Sequence, residues 1–229
     1  MINITKSQPA PLCLSEEKTK SNGTYRKEEV RKRLIEDFHG KCYICEDDDL
    51  TNIEIEHFVP HLGKNIDLRF DWDNLFYACG HCNPIKGIRL ELLNCTNPSH
   101  QIIERINFRI DPFPFSNVEV SPTTNFIEDN LTNNTVSLLR AIYNYAGEDN
   151  NSFDQALHLR KKVILEVMEF QKYLVEYFYE KGLDEADKNE LRAKIRRKLH
   201  PESPFTAFKI WIIKSSPKLN QEFSQYLPA

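Results

Sequence analysis

Four of the cysteines occur as two C-x-x-C pairs, Cys42/Cys45 and Cys79/Cys82. Each pair presents two thiols from one tight turn, and two such pairs together complete a closed tetrahedral site for zinc. A closed site has no open coordination position, so we expect the zinc to be structural rather than catalytic. A redox function is the alternative, and the doubling of the motif argues against it. His81, inside the second pair, is an alternative ligand in place of one cysteine.

A second group of polar residues lies between and directly after the cysteine pairs. Glu56 and His57 are adjacent, Asn74 lies five residues before the third cysteine, and Asn83 directly follows the fourth. The order of these elements is a Cys pair, Glu-His, Asn-Leu, and a Cys pair followed by Asn. This ordered set resembles the HNH endonuclease family, whose core is a small ββα-metal fold. Any single piece of the pattern is weak, whereas the set is specific.

The resemblance implies hydrolysis of phosphodiester bonds with the help of a divalent cation. His57 would be the general base that removes a proton from water, a role suited to a pKa near neutrality. Asn83 would bind the catalytic cation, and its amide oxygen favours Mg²⁺ or Mn²⁺ over softer metals. Glu56, where the family often has aspartate, would be a second ligand. Asn74 would orient His57 or contact the metal.

Lys86 and His61 are candidates for contacts with the substrate. Lys86 lies one helical turn beyond Asn83, where it could meet a phosphate, and His61 follows the catalytic segment closely. The competing interpretation is that both are surface residues without such a role. One conflict is also visible, because adjacent residues of a strand point to opposite faces. Glu56 and His57 can therefore reach one cation only if the strand twists between them.

A closer resemblance is to the PtuB family, the HNH subunits of Septu-type antiphage defence systems that are also found beside certain retrons. The matching segments are KCYICE (41–46), IEHFVP (55–60), DWDNLFYACGHCNPIKG (71–87) and SPFTAFKIW (203–211). The strong part covers residues 41–88. This resemblance implies an effector nuclease that acts on DNA or RNA together with a PtuA-like ATPase subunit. Two alternatives remain open: a non-catalytic zinc module that binds nucleic acid or protein, and a stand-alone restriction-type nuclease.

Composition and charge limit the classes of function. The 229 residues carry a net charge of -4, whereas an autonomous, non-specific nucleic-acid binder is usually basic. A substrate would therefore be held by a local patch or delivered by a partner. No apolar run approaches the roughly 20 residues needed to span a bilayer, and the N-terminus has no signal-peptide pattern. We expect a cytoplasmic protein without a membrane partner, in which Cys13 and Cys95 are ordinary thiols.

The elements that must position these residues are predicted as an α+β arrangement: a small ββα-metal core with a four-cysteine zinc knuckle, embedded in a mainly α-helical chain. A hairpin is expected around 53–58 and a short helix from Asn83. Helices are expected at 25–38, 135–145, 152–182, 184–199 and 204–214. The predicted organisation is a polar N-terminal arm (1–24), the nuclease core with its leading helix (25–95), an extended connector (96–126) and a helical C-terminal region (127–229).

Overall fold

The segment between the two cysteine pairs forms an antiparallel hairpin of strands β1 (Ile53–His57) and β2 (Leu75–Cys79) in the computed structural model, which describes residues 1–50, 52–145 and 147–228. The register pairs Ile53 with Cys79 and His57 with Leu75. β2 is buried along its whole length, as expected for its run of apolar residues. The hairpin therefore brings the two ends of the motif, the histidine and the second cysteine pair, onto one small sheet.

Short helices complete this hairpin. Helix α3 (Ile66–Phe70) lies in the connection between the strands, and α4 (Cys82–Lys86) begins at the last cysteine. α4 ends at Gly87, whose φ of +53° is a left-handed conformation that favours glycine. The order strand, strand, helix agrees with the predicted arrangement of elements around the motif.

The N-terminal segment is packed against the body of the protein, in contrast to the predicted polar arm. Helix α1 covers Leu12–Lys18, and Met1, Ile2, Ile4 and Leu14 are buried. The few apolar residues of this segment are scattered among polar ones, so the sequence has no periodic apolar pattern that would predict their burial. Helix α2 (Glu28–Asp37) follows and is shorter than the predicted helix at 25–38.

The predicted connector at 96–126 contains a second hairpin. Helix α5 (Ile102–Arg105) leads into β3 (Ile106–Ile110), which pairs antiparallel with β4 (Val118–Pro122). Ile106, Phe108 and Ile110 alternate with polar residues, and their side chains are buried. The expectation of a surface connector was wrong for these strands, because Pro112 and Pro114 lie in the turn and Pro122 is the last residue of β4, where it pairs with Ile106.

Longer helices form the C-terminal half, with bounds α6 (Asn130–Tyr143), α7 (Asn150–Tyr179), α8 (Glu185–Leu199), α9 (Thr206–Ser215) and α10 (Pro217–Phe223). The first four correspond to the predicted helices. The start of α7 differs from the predicted start at residue 152: Asp149 caps the helix by accepting a hydrogen bond from the backbone N–H of Ser152, so the helix begins at Asn150. The capping box occurs at α8, between Asp184 and Asp187.

The buried apolar side chains of the N-terminal segment, both hairpins and the long helices form one continuous cluster. Tyr143 of α6 illustrates the connection, since its hydroxyl donates a 2.8 Å hydrogen bond to the carbonyl of Cys45. The cysteine motif is thus supported by the helical region rather than standing apart from it. Within the described residues, no helix is long and apolar enough to cross a membrane.

Candidate metal centre and histidine site

The two cysteine pairs converge in the folded chain. The four Sγ atoms of Cys42, Cys45, Cys79 and Cys82 all lie within 4.8 Å of one another, and the side chains are buried. The Sγ atoms of Cys45 and Cys79 are 3.9 Å apart. Tetrahedral zinc with bonds of roughly 2.3 Å places its sulfur ligands about 3.8 Å apart. The four thiols therefore form a cluster that could hold a zinc ion.

Backbone contacts fix the geometry of this cluster. Tyr43, inside the first pair, donates its backbone N–H to the carbonyl of Tyr77 at 3.0 Å, which ties the first pair to β2. The N–H of Cys82 donates to Sγ of Cys79 at 3.4 Å, a contact that stabilises thiolate character. The position of the cluster thus follows from β2 and from the turn into α4.

The alternative ligand His81 and the two remaining cysteines, Cys13 and Cys95, lie outside the cluster. Nε2 of His81 lies 3.0 Å from the carbonyl of Ile142, and His81 does not belong to the group that could hold a metal. Burial raises the pKa of Cys95 to about 12 and that of Cys13 to about 11. Both leftover thiols are therefore protonated at neutral pH.

His57 is held at the end of β1 by one specific contact. Its Nε2 lies 3.0 Å from the backbone carbonyl of Arg69. A carbonyl can only accept a hydrogen bond, so Nε2 carries the proton and the neutral ring presents its lone pair at Nδ1. Burial lowers the pKa of His57, which favours this neutral form at neutral pH. The arrangement gives the ring one anchored nitrogen and one basic nitrogen.

The side chain of Asn74 connects the two chain segments next to His57 and Arg69. Its Oδ1 accepts a 2.7 Å hydrogen bond from the N–H of Val59, and its Nδ2 donates to the carbonyls of Val59 at 2.9 Å and Leu68 at 3.0 Å. Val59 follows His57 closely, and Leu68 precedes Arg69. The side chain of Asn74 therefore bridges the two segments whose relative position sets the contact between His57 and Arg69.

Glu56 lies on the opposite face of β1 from His57, because the strand keeps a regular register. Its Oε1 is 2.6 Å from Nζ of Lys86, and its Oε2 accepts a 3.0 Å hydrogen bond from the hydroxyl of Tyr43. Burial raises the pKa of Glu56, and the charge of Lys86 opposes that rise. The carboxylate is thus bonded to an ammonium group in the interior, and not placed beside His57 as a shared cation would require.

Lys86 is the clearest departure from the predicted site. Its side chain is 0% exposed, and Nζ also donates to the carbonyl of His57 at 3.2 Å. The expected contact with a substrate phosphate was wrong for this arrangement. Cys82 fixes the start of α4 at the cysteine cluster, and the face of the helix that carries Lys86 is turned inward against β1. Lys86 therefore stabilises strand β1 through its bonds to the carboxylate of Glu56 and the carbonyl of His57.

Asn83 and His61 are the two predicted site residues that remain accessible. Asn83 is half-buried on the first turn of α4, and within the described part of the chain its side-chain amide has no hydrogen-bond partner. The ring of His61 lies 4.4 Å from that of His57 between centroids, and Nδ1 of His61 accepts a 3.0 Å hydrogen bond from the N–H of Gly63. The neutral ring of His61 therefore carries its proton on Nε2.

Two residues near His57 were missed by the sequence interpretation. Tyr25 packs its ring edge-to-face at 4.6 Å from the imidazole, and Arg69 provides the carbonyl that anchors it. The guanidinium of Arg69 also donates to the carbonyl of Gly23 at 3.1 Å, which joins α3 to the segment before α2. A backbone acceptor leaves no signal in the sequence, since any residue type offers one.

The site therefore consists of a buried thiol cluster, a hairpin, and an anchored histidine with a second histidine beside it. No protein-family model matches the chain, and neither a curated protein nor a solved structure matches it.

Proposed function

We propose that this chain is an HNH-type endonuclease in which His57 is the general base for hydrolysis of phosphodiester bonds. The observation that carries the proposal is the contact between Nε2 of His57 and the carbonyl of Arg69 at 3.0 Å. It leaves Nδ1 of a neutral imidazole free to accept a proton from water, which is the chemistry that the family resemblance implies. The strand-strand-helix order around the four thiols supports the same assignment.

The other residues act by positioning and by hydrogen bonding. Asn74 is a positioning residue, because it holds the loops of Val59 and Leu68 together around the anchored ring. His61 supplies an N–H donor at Nε2 for a phosphate oxygen next to the base. A structural zinc held by the four thiols would fix the end of β2 and the start of α4.

A catalytic Mg²⁺ or Mn²⁺ belongs to the family chemistry, but its predicted ligands do not fit together in this arrangement. Glu56 is paired with Lys86 in the interior, so Asn83 is left as the predicted ligand with a free amide. No step of hydrolysis is therefore assigned to a cation. Whether cleavage requires a divalent metal is decided by the assay below.

The substrate and partner follow from the closer family resemblance. We propose DNA or RNA as the substrate and an ATPase subunit as the partner in an antiphage defence complex. Exposed Arg31 and Lys32 of α2, which have no ion-pair partner among the described residues, offer local positive charge on a chain of net charge -4. An ATPase encoded by the neighbouring reading frame would support this assignment, whereas a lone gene would favour a stand-alone nuclease.

A second candidate function is a zinc module that binds without cutting. The observation in its favour is the closed pair of Glu56 and Lys86, which removes one predicted metal ligand and one predicted phosphate contact from the surface. The two candidates share the zinc cluster and differ in whether His57 accepts a proton from water.

The deciding experiment is a cleavage assay on zinc-loaded protein with supercoiled plasmid, single-stranded DNA and RNA, each with Mg²⁺, Mn²⁺ or a chelator. His57→Ala should lose at least roughly 100-fold in rate, the usual contribution of a general base. The matched control is His200→Ala, an exposed histidine at the end of α8. Cleavage by His57→Ala at the wild-type rate would show that the base is assigned wrongly. Nucleic-acid binding without cleavage by the wild type would favour the second candidate.

A further inference from the structure

An apolar groove with a volume of about 650 Å³ lies between the turn of the second hairpin and helix α7. One wall is formed by Phe115 with its neighbouring prolines, and the other by Leu157, Ile164, Leu165 and Met168. We call it the Phe115 groove. It lies outside the histidine site and shares no residue with it.

The walls of the Phe115 groove expose large apolar side chains to solvent. Phe115 is 80% exposed, Leu165 56% and Met168 49%. The opposite face of α7 is already buried in the core, through residues such as Val163, Val167 and Phe170. The exposed side chains of the groove thus contribute little to the buried core. Contiguous exposed apolar surface of this kind marks interaction sites. Methionine adds a flexible surface that adapts to different partners.

The backbone at Phe115 adopts a conformation that is unfavourable for its residue type. Its φ is +66°, in the left-handed region where glycine or asparagine is preferred. A bulky aromatic residue there costs stability of roughly 1–2 kcal/mol, and the exposed ring recovers little of it by packing. The cost is understandable if the ring is presented for contact with another molecule.

Positive charge lies beside the apolar walls. Arg160 is buried at 7% exposure, and its Nη1 donates to the carbonyl of Tyr143 at 2.8 Å. Within the described residues its Nε has no hydrogen-bond partner, and no carboxylate pairs with its guanidinium. Lys161 is exposed on the same turn of α7, and His158 also lines the groove. Asp154 is the acidic residue among those that line it. The groove thus combines apolar walls with two cationic side chains, Arg160 and Lys161, that form no ion pair in the part of the chain that the structure describes.

We propose that the Phe115 groove binds a short amphipathic segment of a partner protein. The segment places large apolar side chains between Phe115 and α7, and a carboxylate beside Arg160 and Lys161. Apolar positions at helical spacing along α7 suit the recognition of an amphipathic helix by a groove. Carboxylates complement the local charge and would form a charge-assisted hydrogen bond with the exposed ammonium group of Lys161. This inference does not depend on the proposed nuclease function.

Two labelled model peptides test the proposal by fluorescence anisotropy. One carries leucines at helical spacing with glutamates elsewhere, and the other has lysine in place of each glutamate. We expect the acidic peptide to bind the full chain at least roughly tenfold more tightly than the basic one. Phe115→Asn, which tolerates the left-handed backbone, and Leu165→Ser should each weaken that binding roughly tenfold, as expected for loss of one buried apolar side chain. Lys161→Glu should weaken it as well.

Val175→Ser is the matched control, because Val175 is an exposed apolar residue of α7 that does not line the groove. Its binding should equal that of the wild type. Equal affinity for both peptides, or binding unchanged in Phe115→Asn and Leu165→Ser, would overturn the proposal. So would a dimer seen by light scattering that Leu165→Ser abolishes, since the occupant would then be a second copy. Binding to lipid vesicles that is lost in the same variants would identify a membrane surface instead.

Discussion

Lys86→Met should make the protein markedly easier to unfold, because it removes the charge that balances Glu56 in the interior. The two side chains are 0% and 4% exposed, and their charged atoms are 2.6 Å apart. Removing one partner of a buried ion pair costs about 3–5 kcal/mol, since the other charge is left uncompensated. In a chain of this size each kcal/mol lowers Tm by about 2–4 °C. We therefore expect Tm to fall by roughly 6–20 °C.

The destabilisation should depend on pH in a defined direction. Burial raises the pKa of Glu56 above its ordinary value of 4.5, and Lys86 opposes that rise, so the pKa rises further without Lys86. A carboxyl group with a raised pKa in the folded state holds its proton more tightly when folded. Its contribution to stability is present below the unfolded pKa and is lost as pH rises through the folded pKa. The cost of Lys86→Met should thus be larger at pH 8 than at pH 5.

Guanidinium unfolding of zinc-loaded protein, followed by tryptophan fluorescence at both pH values, measures these differences. The double variant Glu56→Leu/Lys86→Met removes both charges and should be more stable than Lys86→Met alone. Lys194→Met is the matched control, since Lys194 forms an exposed pair with Glu190 and its loss should leave the unfolding midpoint in place. The reasoning fails if Lys86→Met unfolds at the wild-type midpoint, or if the double variant is the least stable of the set.

Two further pairs of substitutions test the cysteine cluster and the hydrogen bonds of Asn74. Cys79→Ser should reduce bound zinc from about one per chain and lower Tm, whereas Cys13→Ser, outside the cluster, should change neither quantity. Elemental analysis measures the zinc and thermal unfolding measures Tm. An unchanged zinc content in Cys79→Ser would contradict the metal site. Asn74→Ala removes three hydrogen bonds and should cost about 1–3 kcal/mol, because partly buried backbone groups lose their partners. Asn74→Asp keeps the acceptor for Val59 and should be less destabilised, and equal loss in both variants would argue against this bridge.

The local pattern of the chain was sufficient to predict several elements. The repeated C-x-x-C spacing predicted a four-thiol cluster, and the Sγ atoms do lie within 4.8 Å of one another. Periodic apolar residues predicted the helices now seen as α6, α7, α8 and α9. Such features depend on residues close in sequence, so their physical cause is visible in a short window.

Other elements had no such local signal. The N-terminal residues Met1, Ile2 and Ile4 are buried although the segment reads as polar, because their packing partners lie elsewhere in the chain. The second hairpin was missed for a related reason: strands β3 and β4 pair with each other, β3 packs against α9, and β4 packs against α6. Pro112 and Pro114, between the two strands, suggested a loop. Only the strand pairing shows that this loop is the turn of a hairpin.

By itself, the sequence determined which side chains are available for chemistry: four thiols in pairs, His57 after Glu56, and asparagines at positions 74 and 83. The tertiary structure decided which of them meet. The alternation of strand β1 turned Glu56 inward to Lys86 and left His57 on the other face. The anchor of the imidazole, the carbonyl of Arg69, is a backbone atom common to all residue types, so only the folded chain could place it beside the histidine.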